Sequence, residues 1–535
     1  MPLSLHGEAD LKTRPAQAVF AMLAFCLLAE WMPEPFVWVT LPTVWGQARP
    51  REQLEIRVLD DKTGKPIAVR MHLRDARNRP VRPSGVVYWH DHFIIPGMAV
   101  LELRPGIYTF EMERGPEYKI RTGGFTIQRG DANNAVLRME RFVDMNDEGW
   151  YSGDLLVRRD VDEIPLLMAA EDLNVVPVMT WNHEQNLWSD QPISQDLLRR
   201  AEPRGLYHVM AGQDDRAGGP LSYFNLSQPL PIEDAEPEVP SSGHFLVLSQ
   251  RFPDVHVDIE KPFGWDLPVW IASGMIDSIG LCNQHMQRER MLSDEAGGRP
   301  RDRLSFPEPH GNGRWSEYIY YTLLESGIRL PPSAGSGSGI GPNPPGYNRV
   351  YVHCGPKLDH TAWWDNLRAG RVMVTNGPLI RQPLVNGELP GHVFRADQGE
   401  TVELIATLSL SIRESVEYLE IIKNGRVEHE VRLDEVARAG GRLPVVSFDA
   451  SGWMLVRAVT DHPRTYRFAS TGPYYVEIGD QPRISRRAAE FFADWVVLRA
   501  REIDLPDPQQ RESVIRYHRA ARDFWAERVS MANVD

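Results

Sequence analysis

At 535 residues the chain is too long for one ordinary hydrophobic core, and three domains are the expectation. An apolar content of 42% with 25% charged residues is that of a folded globular protein, not of a disordered or fibrous one. With 59 basic against 73 acidic residues the net charge is −14, which argues against nucleic acid or an anionic membrane surface as partner. No run of about 18 uncharged apolar residues predicts an integral membrane segment.

Residues 1–48 read as an export signal. Lys12 and Arg14 precede an apolar run of 14 residues over 16–29, and Gly46-Gln47-Ala48 has the small-x-small pattern of a cleavage site. The expected location is therefore the periplasm, the cell surface or the medium. Cleavage would leave Cys282 and Cys354, too few for a disulfide framework, and no CxxC pair offers a thiolate zinc site.

Residues 51–143 alternate apolar and polar positions, as at Leu54, Ile56 and Val58 and again at Val69, Met71 and Leu73. About seven short strands fit an immunoglobulin-like β-sandwich, an accessory domain without chemistry of its own.

Residues 149–380 have the α/β signature of apolar strands alternating with amphipathic helices. A strand over 154–157 precedes a helix over 162–174, whose Leu166, Ala169, Ala170 and Leu173 form one stripe, and a second strand covers 175–180. A right-handed βαβ unit brings both strand ends to one face, so 155–159 and 180–183 are the loops where an α/β barrel would carry its site. Further strands are predicted over 244–248, 256–259, 276–281, 350–354 and 372–375, and helices over 266–273, 314–326 and 361–369. The acidic, proline-rich stretch 214–240 and the glycine- and proline-rich stretch 331–348 read as loops. Residues 383–478 return to β alternation around the Asn424-Gly425 turn and predict a second small β-sandwich. A helical tail follows over 482–530, broken at Pro506 and Pro508, and is expected to pack back on the body or on a second copy.

The stretch Gly153-Asp154-Leu155-Leu156-Val157-Arg158, with Thr180-Trp181-Asn182-His183, resembles the opening of a PHP-type metallohydrolase domain in the secreted, carbaryl-hydrolase-like branch. There the first strand reads G-D-L-H-x-H and the second ends T-D-H-N. Segments 242–248 (SGHFLVL), 258–262, 276–283, 329–341 and 367–378 (LRAGRVMVTNGP) are similar to the family as well. The resemblance implies a PHP-like α/β barrel flanked by two small β-sandwich domains, and an enzyme holding two or three divalent ions that activate a bridging water. The metal-binding letters are nevertheless replaced. The family's opening histidines fall on Leu156 and Arg158, its next Asp-His on Trp181 and Asn182, its His-Pro on Lys261-Pro262, and its Ser-Asp-x-His on 336–339. His244 alone stands where the family has a histidine.

Leucine has no lone pair to offer, and arginine repels the ion it replaces, so the inherited site is expected to be lost. Arg158 at the barrel mouth is instead a candidate to receive a carboxylate or phosphate. Asp154 and Glu171, the latter beside Asp172, are candidate catalytic carboxylates, although such a pair is more often the solvated end of a helix. A relocated site for zinc, manganese or iron would use His183, His244, Glu260 and His285, which otherwise read as ordinary loop and core residues. Trp181, Trp188, Trp265, Trp270, Trp315, Trp363 and Trp364 offer flat faces for a carbohydrate-like or other small-molecule ligand, or fill the core. No P-loop lysine motif and no post-strand G-x-G-x-x-G suggests a nucleotide cofactor. Three functions stay open: a degenerate hydrolase or ligand-binding pseudoenzyme, an active metal-dependent hydrolase of phosphate, ester or amide bonds, and a structural cell-surface protein.

Overall fold

The computed structural model describes residues 51–130, 133–416 and 418–535. The export segment expected over 1–48 lies outside the described residues. Among those described, no helix is long and apolar enough to cross a membrane.

Residues 52–139 form two sheets over a shared core. One orders Met98–Leu103, Glu52–Asp60 and Asn133–Met139; the other is five-stranded, from Tyr88–Trp89 to Arg121–Ile127. Their inward positions, among them Ile56, Val58, Met71, Leu73, Phe93 and Met112, are fully buried. This follows from the period-2 alternation.

Seven chain segments then close into a ring. Trp150–Gly153 pairs in parallel with Val175–Trp181, which pairs in parallel with Gly205–Asp214. Next come Leu221–Phe224, antiparallel to both neighbours, then His256–Ile259, Ser278–Cys282 and Pro332–Ala334. The ring closes because the chain continues past Gly153: Leu155 donates its N–H to the Ala334 carbonyl (2.9 Å) and Arg158 donates to Ser338 (2.7 Å), while Met179 donates to Val157 (2.9 Å) on the other side. Closure leaves these strands no free edge. Helices Ile164–Glu171, Ser242–Ser249, Leu267–Ala272 and Gly311–Glu325 fill the crossovers.

Several elements differ from the sequence expectation. Residues 244–248 are helical, within Ser242–Ser249, because Ser241 caps the turn by accepting from the Gly243 N–H (3.2 Å); a short apolar run has no period of its own to oppose this. The expected loop 214–240 contains the strand Leu221–Phe224, and 331–348 contains Pro332–Ala334; sheet neighbours override their turn-rich flanks. The last β region is not a separate pair of sheets. Val372–Thr375 pairs with Phe468–Thr471, so one sixteen-stranded sheet runs from the ring into the C-terminal part, where Leu379–Val385, Val402–Ser411 and Arg442–Phe448 cover it. The helices Arg486–Glu502 and Pro508–Ser530 pack back on the ring's outer helices. Phe492 and Trp525 stack at 4.8 Å, and the Trp525 indole donates to the Pro268 carbonyl (2.9 Å).

Buried charge ties these parts together. Glu113 of the first sandwich meets Arg70 (3.2 Å), Arg288 beyond the ring strand Ser278–Cys282 (3.0 Å) and Arg413 of the C-terminal part (3.3 Å). Burial raises its pKa, but the three guanidiniums more than offset this and hold it well below the usual range. Glu113→Gln leaves those cations without their shared counter-charge and is expected to lower stability by about 3–5 kcal/mol in urea unfolding. The exposed pair Arg57–Glu55 (2.6 Å) is the control, with Glu55→Gln expected to change stability by about 1 kcal/mol or less.

Candidate functional site

The strand ends of the ring carry a polar cluster, and Asp215 is its centre. It lies just past Gly205–Asp214, a strand that the sequence reading did not find. Its carboxylate accepts from the Asn182 amide (3.3 Å), pairs with Arg158 (3.4 Å) and meets the His183 Nδ1 (2.5 Å). Arg158 also donates to the Gln213 side chain (3.1 Å). Two of the expected residues, Arg158 and His183, are therefore brought together through an acid not foreseen. The signal was available as the polar run Gln213-Asp214-Asp215-Arg216 after an apolar strand.

A second group stands on the neighbouring strands. Glu260 follows His256–Ile259 and His285 follows Ser278–Cys282; both are buried. Lys261 lies between them, its ammonium 3.4 Å from the His285 Nε2 and 4.0 Å from the Glu260 carboxylate. Neither Glu260 oxygen has a hydrogen-bond partner in good geometry, although Gln284 lies alongside. Burial raises the Glu260 pKa and the charge of Asp215 adds to it, while Lys261 and Gln284 pull it back. Since lysine only donates, the His285 Nε2 accepts and the ring is neutral. Burial, with the Lys261 charge, pushes its pKa down to about 3.

The other expected site residues lie elsewhere. His244 sits on the helix Ser242–Ser249, edge-on to Phe245, where burial and the charges of Arg516 and Arg251 lower its pKa. It does not join His183, Glu260 or His285. Asp154 is fully buried and accepts from the backbone N–H groups of Leu156 (3.0 Å), Ser336 (2.9 Å) and Gly346 (2.6 Å). It pins the closure of the ring, and burial raises its pKa to about 6 against those donors. Glu171, 1% exposed, pairs with Arg70 (2.7 Å), and Asp172 pairs with Arg114 (3.1 Å) and Arg141. These two acids join the helix to the first sandwich, so the pair is not the solvated end of a helix. Leu156 and Trp181, standing where the resemblance has ligands, belong to the apolar core, and a Cβ at Gly212 would lie 2.0 Å from the Trp181 indole.

The donor set does not fit a divalent ion. The acids that could ligate one are faced by Arg158 and Lys261, whose charges repel it. Among the described residues, three His/Asp/Glu donors converge within 4.8 Å only in the first sandwich, as His72–Asp91–His92 and His72–Glu111–Glu113. There Arg70 Nη1 lies 2.6 Å from the His72 Nε2, so that nitrogen accepts and the ring keeps its proton on the side of Asp91.

Beside the polar cluster is an open groove of about 830 Å³, bordered by Arg158, Arg159, Arg199 and Trp188 together with Asp160 and Glu233. The Trp188 indole N–H donates to the Thr180 hydroxyl (2.9 Å), which fixes the ring plane.

No family model matches the chain, and no curated protein does. Among solved structures it is similar to a β-glucuronidase of Parabacteroides merdae, at 10% identity and a TM-score of 0.15 over 77% of this chain and 62% of that one. It is also similar to β-glucuronidase 3 of Bacteroides uniformis, at 8% identity and a TM-score of 0.14 over 80% and 63%. The chain thus spans about three fifths of the length of these structures, and at such TM-scores the likeness carries no argument about fold or activity.

A histidine whose folded pKa lies below its ordinary 6.5 stabilises the fold fully above that value, and the contribution is lost as pH falls towards about 3. His285→Gln, which cannot charge, is expected to flatten the decline of the urea midpoint between about pH 6.5 and 4 relative to the wild type. An unchanged slope would mean that the pKa of His285 is not depressed in the folded state.

Proposed function

We propose that this chain is a PHP-like barrel protein that has exchanged its divalent-ion cluster for side-chain cations and binds a small polar ligand at the strand ends. One observation carries this reading: Lys261 sits between Glu260 and His285, and Arg158 against Asp215, where a metal's charge would otherwise be needed. The closed ring of mostly parallel strands with helices in its crossovers supports the barrel assignment. The replaced ligand letters support the loss of metal chemistry. The adjoining groove mixes guanidiniums, carboxylates and one tryptophan face, which favours a hydroxyl-rich, sugar-like ligand over a multiply charged anion. Hydrogen bonds from Arg158 orient such a ligand, and Trp188 offers a face to stack on.

A second reading rests on Glu260. A buried carboxyl with raised pKa beside a lysine and a neutral histidine is the arrangement of a general acid, and it would serve a hydrolase that works without the inherited ions.

Elemental mass spectrometry of protein expressed in metal-supplemented medium is expected to find no stoichiometric zinc, manganese or iron. One equivalent, lost in His183→Ala or His285→Ala, would overturn the proposal in favour of a rearranged metal site. A calorimetric screen of sugars and sugar acids is expected to yield a ligand whose affinity falls about tenfold or more in Arg158→Ala. Turnover of that ligand, abolished in Glu260→Gln, would instead establish the hydrolase.

A further inference from the structure

Where the first sandwich, the ring and the C-terminal sheet meet, a cavity of about 20 Å³ is lined by Arg70, Arg349, Arg413, Glu113 and Glu171. That volume holds one water-sized particle. Three guanidiniums and two carboxylates face it. Arg70 is matched by Glu113 and Glu171, and Arg413 shares Glu113 with Arg70 and Arg288.

Arg349 has no such partner. It is 1% exposed, and its hydrogen bonds go to backbone carbonyls, from Nε to Gly346 (2.5 Å) and from Nη2 to Glu171 (3.3 Å). Its Nη1 is buried without a partner, and among the described residues no ion pair includes it. The acids next nearest are already engaged: Asp172 by Arg114 and Arg141, Glu117 by Arg141. The backbone makes room for this guanidinium, since a Cβ at Gly115 would lie 3.2 Å from Nη1 and one at Gly346 would lie 2.8 Å from Nη2. Both glycines have left-handed φ, +60° and +71°. Glu117 and Asp172 act on Arg349 from a distance and the Tyr351 hydroxyl lies beside it, but burying a cation with an unused N–H and no ion pair of its own is strongly unfavourable. A neutral water would satisfy the N–H but not the charge.

We infer that this junction binds a single monatomic anion of chloride size, held by Arg349 and its neighbouring guanidiniums. The cavity is too small for phosphate or sulfate. Burial lowers the Arg413 pKa, and the nearby charges of Arg70, Arg349 and Arg467 act in the same direction against the opposing pull of Glu113. An anion there would link three parts of the chain and stabilise only the folded state.

The test is thermal unfolding of the full chain in sodium chloride against sodium gluconate at matched ionic strength. The melting temperature is expected to rise by a few degrees, on the order of 2–5 °C, with chloride and to saturate, and bromide is expected to substitute. Arg349→Met is expected to abolish the dependence. Because that variant is open to folding failure, a second measurement uses the wild type alone: crystals soaked in bromide are expected to show an anomalous peak between Arg349 and Arg413. Identical melting in chloride and gluconate, or bromide-soaked crystals without that peak, would overturn the inference and leave the cavity to water.

Discussion

The carboxylate of Glu113 ties the parts of this structure to one another. Three guanidiniums share it, from Arg70, Arg288 and Arg413, which lie far apart in the chain. A buried carboxylate is tolerable only when its partners are in place, and a buried guanidinium likewise. The first sandwich, the ring and the C-terminal sheet must therefore be assembled together for any of these charges to be satisfied. Arg70 extends the linkage through Glu171 to the ring's first helix, and Arg141 and Arg114 do the same through Asp172. Together with the sheet that runs unbroken from the ring into the C-terminal strands, this explains why residues 51–535 form one compact unit, despite a sequence that suggests three domains.

The ring's end shows the same principle at smaller scale. The residues at this end of the ring fall into two kinds. Leu156 and Trp181 are apolar and turn into the core. Arg158 and Lys261 are cationic and stand against Asp215 and Glu260. The two cations offset the charge of the acids beside them, because a carboxylate cluster without any cation would be self-repelling.

How much of this was legible depends on how local the cause is. The strands Val175–Trp181, His256–Ile259 and Val372–Thr375 and the helices Leu267–Ala272, Gly311–Glu325 and His360–Arg368 follow from periodicity and end signals within a few residues. Arg158, singled out from the resemblance, does lie in the polar cluster at the strand ends. The strand Gly205–Asp214 escaped notice, and Asp215 with it. Residues 244–248 were misassigned because a five-residue apolar run carries no helical or strand period. For Glu171 the sequence offers a catalytic carboxylate or a solvated helix end, because nothing near it in the chain reveals Arg70, 101 residues away.

By itself the sequence determined the conformation of the strongly periodic segments, most of the apolar faces and the absence of thiolate and nucleotide motifs, since each depends on neighbours within one or two turns of chain. Only the tertiary structure decided which acids are structural and which face the groove, that Lys261 lies between Glu260 and His285, and that Arg349 is buried without an ion pair of its own. Those outcomes depend on burial and on charges brought together from distant segments. Neither residue type nor spacing carries that information.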